Sequence, residues 1–146
     1  LNMLGTSAVT NRREARVVAL QVLCETDVVQ HEASSILDQL FADLDVTPRH
    51  SDFISDLVEN VLVNIGELDS IITDYAPSWP ISQIAVVDRN VIRLALAEIK
   101  WSVETPEGAV INEAVELAKA FGAENSAGFV NGVLGSFVDG IPKLNS

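Results

Sequence analysis

Residues 88–99 read DRNVIRLALAEI, and this stretch decides the fold class. Its apolar residues recur at helical spacing, but they cover more than one face of the helix that they form. A helix of this kind is usually contacted from several sides, so we expect it at the centre of a helical bundle. The small residues within it indicate tight packing. The apolar positions are Val91, Leu94, Ala95, Leu96, Ala97 and Ile99.

Helical periodicity continues on both sides of this stretch. No segment alternates apolar and polar residues over the length of a strand, so we expect no β-sheet. The predicted class is all-α, a compact bundle of about seven helices in two packed helical groups. The expected helices cover residues 11–30, 36–44, 47–65, 67–75, 82 or 88 to 101, 107–122 and 126–137.

Local signals mark where several of these helices begin. Asn11 is a good N-cap, and Glu14 is placed to complete a capping box. Thr47 is a second N-cap, followed by Pro48 in the first turn. These two starts are therefore the best defined in the first half of the chain.

The last two helices carry glycine and serine signals. Gly122 can end the sixth helix in a left-handed conformation, and Ser126 can cap the seventh. Gly132 and Gly135 lie inside the seventh helix, where glycine is costly. We therefore expect another element to approach their backbone closely.

Pro77 and Pro80 forbid a continuous helix and make the best hinge between two helical groups of one domain. The single apolar core that 146 residues can build argues against a second domain. We expect a flexible tail at residues 1–10, one domain at 11–140 with groups at about 11–76 and 81–140, and a second tail at 141–146.

Composition excludes several classes of protein. The longest apolar runs, such as residues 84–87, are far shorter than the ~20 residues of a membrane span. The first nine residues lack the basic start and apolar run of a secretory signal, so we expect a cytoplasmic protein. The single Cys24 can form neither an internal disulfide nor a cysteine-based zinc site.

The net charge of −12 is distributed unevenly. Residues 1–16 contain three arginines and one glutamate, a net charge of +2, so the other 130 residues carry −14. Between residues 17 and 87, twelve acidic residues stand against Arg49 as the only lysine or arginine. Such a surface repels phosphate, so we expect no general affinity for nucleic acids.

The first helix begins with Arg12, Arg13 and Arg16, which we call the arginine edge. The helix dipole disfavours cations in a first turn by a few tenths to ~1 kcal/mol each, so folding alone would favour acids there. Arg12 and Arg16 share a helix face, with Arg13 beside them. The edge suits bidentate contacts with phosphate. Ordinary solvated charges beside a loose tail are the alternative.

Candidate catalytic pairs are weak. His31 follows Cys24 by seven residues, a separation of ~10 Å along a helix, which is too far for direct proton transfer. We interpret Cys24 as structural and His31 as exposed. Glu113 and Glu116 are three residues apart on one helix and are best explained as a solvated face. The sequence therefore predicts no enzyme, no cofactor and no metal site.

Four blocks of the sequence occur together in one bacterial family. They are NRREARVVALQVL (residues 11–23), DRNVIRLALAEI (88–99), INEAVELAKAFG (111–122) and FVNGVL (129–134). In this order they resemble the transcription antitermination factor family NusB, whose arginine-rich first helix and central helix are similar to the first two blocks. Asp88, Arg89 and Arg93 stand in the expected places. The last two blocks are the specific part of the resemblance.

The resemblance implies a NusB-like fold and a non-enzymatic factor that binds the boxA element of nascent rRNA transcripts. The family binds this single-stranded RNA together with the ribosomal protein NusE, within the antitermination complex of RNA polymerase. By motif matching, the RNA-binding residues are Arg12, Arg13, Arg16, Lys119, Asn125 and Phe129, and the residue expected to contact NusE is Asp88.

Phe129 has two interpretations. A basic track beside an aromatic platform is how single-stranded RNA is held, with ~1–3 kcal/mol for each stacked base. On helical spacing alone, with Val133 and Phe137, Phe129 is better explained as a core residue.

Four positions depart from the family pattern. Cys24 replaces a common aromatic residue, Ala97 replaces a frequent tyrosine, and Glu14 occupies a position that is usually basic. We expect these changes to weaken RNA binding. Asn125 stands where an acid is frequent, which removes a negative charge near the phosphates and partly compensates.

Other interpretations keep the same fold. One is a protein-interaction module that uses its acidic surface for docking and binds little or no RNA. Another, the domain fused to an rRNA cytosine methyltransferase, is disfavoured because the chain ends at Ser146, soon after the last helix. A homodimer is consistent with the apolar content. With about three phosphate contacts, the salt slope of RNA binding should be about −2, and so acidic a protein should need a basic partner.

Overall fold

Seven α-helices form most of the described chain, as predicted. The structure is a computed structural model that describes residues 3–102 and 104–141. A 3₁₀ turn at Ile81–Gln83 lies between the fourth and fifth helices. In chain order the elements are β1 (Ala8–Val9), α1 (Arg12–Val29), α2 (Ala33–Asp43), β2 (Asp45–Val46), α3 (Pro48–Val63), α4 (Ile65–Tyr75), α5 (Val86–Trp101), α6 (Glu107–Phe121) and α7 (Ser126–Asp139).

The chain divides into two compact units, the first ending at Asn64 and the second beginning at Ile65. The sequence predicts this division near Pro77 and Pro80 instead. The difference arises because α4 packs on α5 and α7 and so belongs to the second unit. The two prolines lie in the turn after α4, where they prevent that helix from continuing.

In the first unit, α1 is the central helix. It packs on α2 and α3, and every residue from 15 to 23 is buried. The predicted inner residues Val17, Leu20 and Leu23 are in this run, and Cys24 is half-buried. The buried residues that α3 contributes are Ile54, Leu57, Val58 and Val61.

Residues 3–10, before α1, belong to the first unit, whereas the sequence predicts residues 1–10 as a flexible tail. Of the second predicted tail, residues 142–146 lie outside the described residues. β1 pairs in parallel with β2, with Val9 opposite Val46. Val9 is buried, and the Met3 N–H donates to Gln21 Oε1 at 2.9 Å. The prediction that there are no strands is wrong, because a two-residue strand is too short to show any alternation.

Helix α2 buries less than its apolar stripe predicts. Only Ile36 of the five stripe residues is buried. A cavity of about 440 Å³ lies between α1, α2 and the amino-terminal segment, so part of the stripe faces a cavity and not a packed neighbour. The half-buried stripe residues are Leu37, Leu40, Phe41 and Leu44.

In the second unit, α5 is central, as the sequence predicts. Residues 90–98 are all buried, and α4, α6 and α7 pack around the helix. Arg93 is buried in this run, and its Nε and Nη2 donate to Asp69 Oδ1 and Oδ2 at 2.8 and 2.9 Å. Its Nη1 donates to Asn90 Oδ1 at 3.1 Å. This bidentate contact joins α4 to α5 and satisfies a charge inside the core.

Gly122 ends α6 in an extended conformation, with φ −94° and ψ −169°, and not in the predicted left-handed one. Its requirement is space, because a Cβ would lie 2.5 Å from Ser126 Oγ and 2.8 Å from the Ala118 carbonyl oxygen. Ser126 is the first residue of α7 and not its cap. Its Oγ accepts a hydrogen bond from the Ala123 N–H at 2.8 Å.

Gly132 and Gly135 do not have the close neighbours that the sequence predicts. A Cβ on either residue would meet no described atom within 4 Å. The cost of these two glycines to α7 is therefore not offset by close packing within the described residues.

Candidate nucleic-acid interface

The amino end of α1 is fixed by the cap that the sequence predicts. Asn11 Oδ1 accepts from the Glu14 N–H at 2.8 Å, and Glu14 Oε1 accepts from the Thr10 N–H at 2.8 Å. The hydrogen bond from the Thr10 hydroxyl is the main cause that lowers the pKa of Glu14, helped by backbone N–H donors and by the charge of His50. Glu14 is thus an ionised part of the cap, and the cap sets the direction of the arginine edge.

The three arginines of the arginine edge have different surroundings. Arg13 is exposed, Arg12 is half-buried, and Arg16 is only 7% exposed. The guanidinium carbon of Arg12 lies 3.9 Å from the centroid of the Phe53 ring, and that of Arg16 lies 5.6 Å from it. Cation–π contacts contribute ~0.5–1 kcal/mol at exposed sites and more when desolvated. The edge therefore consists of one exposed arginine and two that are held against α3.

Phe53 is the residue of this site that sequence reasoning missed. Its helical spacing predicts a core side chain, but it is half-buried and lies beneath two guanidinium groups. Periodicity tells which face of a helix is buried, but it does not tell which side chain that face meets. The sequence therefore indicates that Phe53 faces inward, but it does not identify Arg12 and Arg16 as its neighbours.

Lys119, Asn125 and Phe129 lie around the turn from α6 to α7 in the second unit. Lys119 is exposed, and its Nζ lies 3.5 Å from Glu116 Oε1. Asn125 is exposed and precedes α7, and its carbonyl oxygen accepts from the Phe129 N–H at 3.2 Å. Phe129 is half-buried, so its ring is neither fully in the core nor fully open to stacking. The structure thus joins Asn125 and Phe129 in one helical turn, whereas the arginine edge belongs to the first unit.

Asp88, which the family resemblance predicts to contact NusE, lies in the first turn of α5 and is 8% exposed. Its Oδ1 is buried and has no hydrogen-bond partner among the described residues. The guanidinium of the adjacent Arg89 donates to the Ile84 carbonyl oxygen at 3.0 Å. A buried acceptor of this kind is costly, and a donor from another molecule would stabilise it.

Other features of the described residues concern metals and membranes. No three histidine, cysteine, aspartate or glutamate side chains among them are grouped as a metal site requires. None of the described helices combines the length and the apolar character that crossing a membrane takes. His31 is exposed.

Known proteins resemble the chain over most of its length. A family model described as the NusB family matches residues 13–139. The transcription antitermination protein NusB of Dehalococcoides mccartyi (strain 195) is 42% identical over 127 residues, which cover 87% of this chain and 89% of the relative. The protein of the same name from Chloroflexus aggregans is 43% identical over 131 residues, 88% of this chain and 87% of the relative.

Solved structures agree with this resemblance. NusB of T. maritima superposes with a TM-score of 0.83 at 30% identity, over 90% of this chain and 92% of its own. A chain from the crystal structure of the antitermination factors NusB and NusE in complex with dsRNA gives a TM-score of 0.80 at 26% identity, over 89% and 97%.

Proposed function

The chain belongs to the NusB family of transcription antitermination proteins, and we propose that it binds the boxA RNA of nascent rRNA transcripts together with the ribosomal protein NusE. A solved relative that forms a complex with NusE and RNA supports the choice of partners. The observation that carries the proposal to this chain is the arginine edge, at the one positive end of a sequence whose other residues carry −14.

The residues of the first unit have different roles in this proposal. Arg13 is exposed and reaches a phosphate directly. Arg12 uses the face of its guanidinium on Phe53, while its N–H donors lie in the guanidinium plane, where they suit a phosphate. Arg16 is 7% exposed and acts mainly through its charge.

In the second unit, we assign RNA contacts to Lys119, Asn125 and Phe129. Asn125 and Phe129 lie in one turn at the start of α7, the lysine lies in the last turn of α6, and the phenylalanine is only half-buried. A half-buried ring can stack a base on its open face. Asn125 brings an amide without negative charge to this turn.

Asp88 is our candidate for the NusE contact. Its buried Oδ1 lacks a donor among the described residues, and an incoming cationic or amide group would supply one. A basic partner also suits the net charge of −12, because it brings positive charge to an RNA that most of this chain repels. Since the family acts by binding, we propose a non-enzymatic role, in the cytoplasm, where nascent transcripts meet ribosomal proteins.

The test is the double variant Arg12→Ala/Arg13→Ala, which leaves the buried Arg16 in place. We expect its affinity for boxA RNA to fall about tenfold or more, since each lost charge-assisted contact is worth roughly a factor of ten. Binding to NusE should stay within about twofold. Lys100→Ala is the matched control, because it removes one cation from α5, outside the proposed site.

Fluorescence anisotropy of a labelled boxA RNA measures the first quantity, and calorimetry with NusE measures the second. Unchanged RNA affinity in the double variant, with NusE binding intact, would favour the alternative of a protein-interaction module. The net charge of −14 on residues 17–146 supports that alternative, because an acidic surface can dock a partner protein but repels RNA.

A further inference from the structure

The parallel strand pair places two helix starts side by side in the first unit. Val9, the last residue of β1, is opposite Val46, the last residue of β2. Helix α1 begins three residues after Val9, and α3 begins two residues after Val46. Because the strands are parallel, the segments that follow β1 and β2 leave the pair at the same end. The first turns of α1 and α3 are therefore neighbours.

Side-chain contacts confirm that these first turns meet. Phe53, in the second turn of α3, lies beneath Arg12 at 3.9 Å and near Arg16 at 5.6 Å. Glu14 in the first turn of α1 is close enough to His50 of α3 for that charge to contribute to its lowered pKa, after the larger effect of the Thr10 hydrogen bonds. The first turn of α3 therefore borders the arginine edge.

The first turn of α3 carries an arginine and a histidine. Arg49 is four residues and His50 three residues before Phe53, so both lie on the side of α3 that carries the ring. Arg49 is exposed, and its guanidinium group makes no ion pair or hydrogen bond with any residue that the structure describes. No acid occurs in this turn, where the helix dipole disfavours cations. As with the arginines of α1, folding preference does not explain Arg49.

The position of Arg49 is informative because cations are rare in this part of the chain. It is the only lysine or arginine between residues 17 and 87, among twelve acids. Arg49 lies one helical turn before Phe53, on the side of α3 that carries the ring beneath Arg12, although it is 33 residues from Arg16 in sequence. Arg49 thus adds a second exposed arginine to Arg13, beside the half-buried Arg12 and the buried Arg16.

We propose that α3 forms a second row of the RNA surface, in which Arg49, assisted by His50, binds a backbone phosphate and Phe53 is a positioning residue that holds the Arg12 guanidinium. The inference rests on the proposed function, since the phosphate belongs to the same RNA. In this proposal the RNA surface of the first unit is formed by two helices, α1 and α3, and not by the arginine edge on α1 alone. The ligand chemistry is a phosphodiester, recognised by guanidinium groups from both helices.

Arg49→Ala tests the second row. We expect RNA affinity to fall roughly threefold to tenfold and the salt slope to become shallower by ~0.7, the value for one phosphate contact with a single strand. Arg49→Glu should lower the affinity further. Lys100→Ala, which removes the same charge from the second unit, should change neither quantity. Circular dichroism checks that the exposed substitution leaves the fold unchanged.

Phe53→Leu tests the positioning role while keeping an apolar side chain. If the ring acts through Arg12, the loss of RNA affinity in Phe53→Leu should largely disappear in an Arg12→Ala background, because coupled residues are not additive. A purely structural role of Phe53 would give the same loss in both backgrounds and would contradict this part of the inference.

The outcomes separate this inference from the function on which it rests. Wild-type affinity and slope for Arg49→Ala, together with weakened binding by Arg12→Ala/Arg13→Ala, would overturn the second row alone. Wild-type RNA binding by all of these variants would overturn the proposed function as well.

Discussion

Gly122 and Gly132, both in the second unit, have different surroundings, and the difference predicts opposite effects of alanine. At Gly122 a Cβ would collide with the buried Ser126 Oγ at 2.5 Å and with a backbone oxygen at 2.8 Å. We expect Gly122→Ala to lower the free energy of unfolding by about 1–3 kcal/mol, the usual effect of overpacking. Urea denaturation followed by circular dichroism measures it.

Gly132→Ala is the matched control for this change. Its Cβ would meet no described atom within 4 Å, so alanine should raise the stability of α7 by about 0.5–1 kcal/mol through helix propensity alone. If both variants were destabilised equally, the crowding at Gly122 would not be the cause.

The contrast between these glycines shows what a single position reveals in sequence. Its place after Phe121 predicts Gly122 as a helix end, which is confirmed, but the reason for glycine there is the hydroxyl of Ser126 four residues later. Likewise, Asn11 and Glu14 were predictable because a cap depends on residues three apart. The Arg12–Phe53 contact joins residues 41 apart, and no local pattern contains it.

The ion pair between Arg93 of α5 and Asp69 of α4 joins two helices through two hydrogen bonds. Asp69 accepts two hydrogen bonds from Arg93, whose side chain is 6% exposed. Asp69→Asn removes the countercharge and one acceptor from a buried guanidinium. We expect a loss of about 2–4 kcal/mol, near the lower part of the range for breaking a buried ion pair, because Asp69 itself is 27% exposed.

Glu67→Gln on the same helix provides the comparison. Glu67 lies 4.0 Å from Lys100 and its side chain is 54% exposed, so its loss should change stability by less than about 0.5–1 kcal/mol. Thermal and urea unfolding of both variants measure the difference. Equal effects would mean that the Arg93–Asp69 contact does not hold α4 in the second unit.

The elements themselves were largely predictable, and the exceptions have physical reasons. All seven helices follow from periodicity and caps, and the burial of residues 90–98 follows from the apolar character of α5 on several faces. The β1–β2 pair is too short to leave a period, so a segment that sequence alone describes as a tail is part of the first unit. The assignment of α4 depends on packing with α5 and α7, which sequence spacing does not encode.

Across the whole chain, charge is the property that connects sequence to function. The first sixteen residues have a net charge of +2 and oppose −14 elsewhere, and Arg49 lies in the first turn of α3, which borders that end. The family follows from the INEAVELAKAFG and FVNGVL blocks, and the family model covers residues 13–139. What the sequence could not supply was the burial of Arg16, the place of Phe53 and the neighbouring start of α3.

The most direct test is a salt titration of boxA RNA binding by the wild-type protein, with and without NusE. The chain alone should bind weakly with a slope of log affinity against log salt of about −2, since roughly three phosphate contacts at −0.7 each are available. NusE should tighten the complex. Tight binding by the chain alone with a slope steeper than about −5, or no binding of boxA RNA even with NusE, would contradict a small cationic surface on an acidic protein as the place where RNA binds.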